Sequence, residues 1–293
     1  MIAQFALRLI CGMSLMWALM PRRQVTSGFF RIQMLVVMGL ATLAALDMGM
    51  EAQSAIREAG SSELTSALPS PLAAAIPPGL IVVLGFIGSV FWTLERRAIG
   101  GGIGYGILLL SVGELITPLA SIGQDGYIVF WGNAIVRNGT PAVSSACPAY
   151  LAIVSEFANA GVLGGAVVGM LLGHWYLTSP TMSIEPLNRI NRHFGIASVI
   201  RLMASVTILA LLMTGQLRSL DLAPQLGPVP GTWLGLRWLA GVFGPLVVSL
   251  MVWRILKYRN TQAATGVLFV GVILAFIGDM TAALLLRETG LPL

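Results

Sequence analysis

The chain has 293 residues, of which 56% are hydrophobic and only 10% charged, with a formal net charge of +5 and a mean hydropathy of +0.86. A soluble domain carries about 25% charged residues, so this chain cannot cover its surface with polar groups, and its expected solvent is lipid. The basic residues are scattered between apolar segments, which sets nucleic acid aside as a partner despite a pI near 9.8.

A bilayer core about 30 Å thick takes about 20 apolar residues per helix, and runs of that length predict eight spans, roughly at 1–20, 29–50, 72–94, 100–123, 148–177, 195–216, 231–253 and 262–286. The first run holds Arg8 and Cys11. It is followed, not preceded, by the basic pair Arg22 and Arg23, the pattern of a retained helix rather than a signal peptide. The expected fold class is therefore all-α: one polytopic membrane helix bundle of about eight transmembrane helices, filling 1–293 as a single domain.

The connections set the expected orientation. The first, third, fifth and seventh carry Arg22, Arg23, Arg31, Arg96, Arg97, Arg189, Arg192, Arg254, Lys257 and Arg259. The even connections and the C-terminal end carry Arg57, Arg137, Arg218, Arg237 and Arg287 beside six acids. Basic residues gather on the cytoplasmic side, so both termini are expected outside, in a cytoplasmic (inner) membrane. Lys257 is the only lysine among 17 basic residues; this Arg bias points to GC-rich coding and a bacterial source. The long outer connections, 51–71, 124–147 and 217–230, are rich in Gly, Pro and Ser.

Each odd-numbered span has a Trp near its inner end: Trp17, Trp92, Trp175 and Trp253. The segments "SVFWTLERRAIGGGIGYG" and "SLMVWRILKYRNTQAATG" resemble each other most. They suggest a parallel hairpin repeat with pseudo-repeat halves 1–123 and 148–293. The membrane-interface preference of Trp produces most of the same pattern without duplication. "GGGIGYG" follows a helix turn, not a strand, and is read as helix-packing glycine rather than a phosphate loop.

The charges inside the spans carry the functional argument. A carboxylate at the bilayer centre costs about 2.5–3.5 kcal/mol, yet Asp47, Glu114, Glu156 and Asp279 all fall within spans, in the outer half. Glu156 and Asn159 lie three apart on one helical face, as do Ser111, Glu114 and Thr117. Glu114, Glu156 and Asp279 are expected at one level, lining a cavity. Asp47 is shallower and wetter. Arg8, in the outer half of the first span, is a partner for Asp47 or another acid. Arg201 is placed in the inner part of the sixth span, snorkelling to the cytoplasm.

His174 and His193 are the only histidines, both toward the inner side. His174 is read as part of an interfacial His-Trp-Tyr cluster, with a haem or quinone contact as the alternative. The stretch between them is expected as a short amphipathic segment on the inner surface. Cys11 and Cys147 fall in different segments, so no disulfide is expected. No motif of a nucleotide-binding, hydrolytic or metal enzyme appears, and no cofactor is specified. The leading expectation is a non-enzymatic transporter of a small solute or cation, with proton or cation coupling through Glu114, Glu156, Asn159 and Asp279, and with Asp47 and Arg8 beside them. The alternatives are a non-catalytic subunit of a larger respiratory or secretory complex, with partner membrane subunits, and a haem- or quinone-binding redox protein.

Overall fold

The computed structural model describes residues 2–59, 70–120, 135–137, 140–142, 149–179, 182–214 and 231–289. Nearly all of them are helical. In chain order the helices are α1 (Ile2–Leu19), α2 (Ser27–Ala59), α3 (Pro71–Thr93), α4 (Arg97–Ala120), α5 (Ala149–Thr178), α6 (Glu185–Met213), α7 (Gly231–Leu236), α8 (Gly244–Lys257) and α9 (Thr261–Thr289). A π-helical segment, Arg237–Phe243, joins α7 to α8 into one continuous rod. Among the described residues between α4 and α5, Ile135–Arg137 and Thr140–Ala142 form a pair of short antiparallel strands. Counting the α7–α8 rod once, the described residues contain eight helices long and apolar enough to cross a membrane.

The helix boundaries follow local chemistry. Ser70 caps α3, its Oγ accepting from Ala73 N at 3.1 Å, and Pro71 takes the first helical position, where its missing N–H costs nothing. The Asn260 side chain accepts from Ala263 N at 3.0 Å at the start of α9. The α3–α4 and α8–α9 turns share one geometry. In each, the second residue before the next helix is left-handed: Glu95 at φ 56° and Arg259 at φ 55°. Such a position usually takes glycine.

The packing forms two rings. α1, α2, α3 and α4 each touch the next, and α4 returns to α1; α5, α6, the α7–α8 rod and α9 close in the same order. The rings meet where α1 lies against α5. These two helices run parallel, because Arg8 meets Glu156 and, four residues on, Gly12 meets Ala160. The approach is backbone to backbone: a Cβ on Gly12 would overlap the Ala160 carbonyl, and one on Gly164 would overlap Gly12. Small residues permit this closeness. α5 is the central helix, with 83% of its apolar window buried against 28–39% for every other span except α1.

One expectation is corrected here. The stretch before the sixth span is not a surface segment, because α6 starts at Glu185 and buries Leu187, Ile190 and Phe194 in the core. The four Trp residues near these helix ends differ in their surroundings. Trp17 and Trp92 are buried, and Trp92 stacks on Phe30 at 4.3 Å beside Gly100, while Trp175 donates from Nε1 to Thr26 Oγ1 at 2.8 Å. Only Trp253 of the four is largely exposed.

Candidate functional site

The site is a buried ion network at the seam between the rings. Arg8 points from α1 into the second ring. Its Nε donates to Glu156 Oε2 and its Nη2 to Glu156 Oε1, both at 2.6 Å, a bidentate pair. Its Nη1 donates to Asp279 Oδ1 at 3.0 Å. Asn159, one turn along α5 from Glu156, donates from Nδ2 to the same Asp279 oxygen. Asp279 Oδ2 is buried and has no hydrogen-bond partner among the described residues.

Two further arginines complete the layer. Arg201 of α6 donates from Nη1 to Ser155 O at 3.1 Å, and Arg237 of the π segment donates from Nη1 to Gly278 O at 3.0 Å. Each therefore holds the carbonyl of the residue immediately before one of the two acids. Arg8, Glu156, Asn159, Arg201, Arg237 and Asp279 are all no more than 7% exposed. Three guanidinium groups thus surround two carboxylates.

The local sequence explains how these groups converge. Arg8 and Gly12 lie one turn apart on α1, so the close α1–α5 crossing brings the guanidinium down onto Glu156. Gly278 packs against Gly241 with no room for a Cβ on either, which draws α9 and Asp279 to the π segment. That segment is wound wide for a reason: Pro245 has no N–H to give to the carbonyl four residues earlier, and the Gly244 N–H reaches back instead to Leu239 O. Such wide turns are often found at functional sites.

The structure treats the sequence candidates unequally. It brings together Arg8, Glu156, Asn159 and Asp279. It leaves Glu114 apart, half-buried on α4 with no hydrogen bond or ion pair among the described residues. The three acids therefore do not converge. Glu114 sits on α4 in the first ring, while the other two meet Arg8 at the seam. Asp47 accepts from Ala3 N at 2.8 Å and so satisfies an orphan donor at the start of α1. His174 is exposed near the C-terminal end of α5. Cys11 is buried, and Cys147 lies outside the described residues.

Arg201 and Arg237 are the residues that sequence reasoning misplaced. Arg201 does not stand near the charged start of α6: the helix begins ten residues before its apolar run, so Arg201 is level with Ser155, beside the ion network, and buried. Arg237 is not a connection residue but a core one. The signal for both was their position inside an apolar window with no acid at i±3 or i±4 to satisfy them locally. Among the described residues no cluster of His, Cys, Asp and Glu is arranged to hold a metal. In comparisons with protein-family models, curated proteins and solved structures, nothing matches this chain.

Proposed function

We propose that the protein is an integral membrane protein of eight spans, with both termini outside, and that it moves a small solute across the membrane with proton coupling at the Arg8–Glu156–Asp279 network. The observation that carries this reading is the ion pair across the seam. Arg8 is the one charged group of the first ring in the network, and both of its acids belong to the second. Transporters built from two packed halves place coupling sites where the halves meet. A proton added to Asp279, whose Oδ2 is open, or to Glu156 would remove the charge that Arg8 grips and loosen the two rings at this level. The excess of arginines makes a bare metal cation a poor ligand here and favours a proton or an anionic or zwitterionic solute.

The test uses protein reconstituted in liposomes with an internal pH dye and an imposed proton gradient. Asp279→Asn and Glu156→Gln are expected to abolish proton flux while the protein still inserts. Full flux in both variants refutes coupling at this site.

One observation favours a second reading, a non-catalytic subunit. The same network is buried enough to act as a static lock between the rings. The triple change Arg8→Met, Glu156→Leu, Asp279→Leu separates the two. Buried ion sets can be replaced by apolar side chains with little loss of stability, so a scaffold retains fold and partners, whereas a transporter loses flux. A haem or quinone at His174 draws no support from that exposed side chain, and a Soret band in the purified protein is the measurement that would revive the haem version.

A further inference from the structure

At the opposite end of the bundle from the ion network, where α6 begins and α8 ends, lies a groove of about 440 Å³. Its walls include Asn188, Arg189, Asn191, Arg192, Trp253 and Lys257. Three cations meet here with one acid, Glu185, whose oxygen lies 3.8 Å from Arg189 Nε, too far for a hydrogen bond. The groove therefore carries a net charge of +2 from these four groups. Two polar atoms in its walls are buried without a hydrogen-bond partner among the described residues: Arg189 Nε, a donor, and Asn191 Oδ1, an acceptor. Asn191 is 4% exposed, and its amide is fixed, since Nδ2 donates to Ser249 O at 3.1 Å. Its oxygen therefore cannot turn away to find water. The Lys257 ammonium sits 3.8 Å from the centre of the Trp253 ring, and Leu250, 61% exposed, continues the apolar edge beside it.

We propose that this groove binds an anionic phospholipid of the inner leaflet whose head group carries a hydroxyl. The inference rests on the membrane placement proposed above, but not on transport. The phosphodiester lies among Arg189, Arg192 and Lys257, a head-group hydroxyl donates to Asn191 Oδ1, and an acyl chain follows Leu250 and the Trp253 ring. The chemistry selects among lipids. A phosphate alone satisfies the orphan donor and leaves the acceptor bare. A choline head group offers no donor and brings a cation toward three others. A glycerol head group supplies both the charge and the hydroxyl. Basic pockets between helices at the cytoplasmic face suit anionic head groups.

Detergent-purified protein, delipidated and then titrated with phosphatidylglycerol or phosphatidylcholine, tests this by native mass spectrometry and thermal unfolding. Phosphatidylglycerol is expected to remain bound and to raise Tm by several degrees, and phosphatidylcholine to do neither. Arg192→Gln with Lys257→Gln, both exposed positions that leave the core intact, is expected to weaken binding by about fivefold for each cation removed. Lys257→Arg keeps the charge and is expected to keep binding. Equal stabilisation by the two lipids, or an unchanged affinity in the double variant, overturns the proposal. An equal shift from millimolar glycerol 3-phosphate also overturns it, because the site then reads a soluble phosphate. Flotation with liposomes separates the two failures: a protein that does not float loses the membrane placement and this site together, while one that floats without lipid selectivity loses only the site.

Discussion

The two four-helix rings share one order of contacts and differ in what fills them. The first is packed with Trp17, Phe30, Met34 and Trp92, and its one fully buried charge, Arg8, leaves it for the neighbour. The second encloses Glu156, Arg201, Arg237 and Asp279 around a central α5. In lipid there is no hydrophobic drive to bring helices together, so packing and polar contacts must do so. The first ring relies on the former. The second relies on both, and it is where chemistry is available. The comparison teaches that equal topology does not imply equal chemical make-up: the apolar ring positions Arg8, and the polar ring supplies what Arg8 holds.

The largest effect expected is from Arg8→Met, which strands two buried carboxylates and costs about 3–5 kcal/mol, read as thermal or SDS-induced unfolding in detergent. Addition of Glu156→Leu and Asp279→Leu is expected to recover most of that loss. If Arg8→Met is as stable as the parent, the network does not join the rings. Next is the seam itself. Gly12→Val drives a side chain into the Ala160 carbonyl and is expected to cost about 1–3 kcal/mol or more. The control, Gly39→Ala, meets nothing within 4 Å and is expected to stabilise α2 by about 0.5–1 kcal/mol.

Smaller effects sharpen the contrast between acids. Asp47→Ala removes the acceptor for Ala3 N and is expected to cost about 1 kcal/mol, as for a lost helix cap. Glu114→Gln breaks no ion pair. Its effect on stability is expected within about 0.5 kcal/mol, and proton flux should persist where Asp279→Asn abolishes it. Loss of flux in Glu114→Gln would move the coupling site into the first ring.

Much of this was legible before any coordinates. Asp279 and Glu156 stood out because a carboxylate in an apolar run needs a reason, and Asn159 followed from its spacing to Glu156. Arg201 was misjudged because the charged start of α6, "EPLNRINRH", hides ten helical residues ahead of the apolar run.

What the sequence determines alone is what varies along one axis: eight apolar runs of spanning length and the asymmetry of charge between their ends. Hydropathy and helix rise are local and additive, so they can be read residue by residue. What the tertiary structure decides is rotation about each axis and the choice of neighbour. Backbone contacts at Gly12 with Ala160 and Gly164, and at Gly241 with Gly278, fix those angles. They turn Glu156 and Asp279 onto Arg8, leave Glu114 outside, and bring in Arg201 and Arg237, because a side chain's partner depends on which helix face another helix covers.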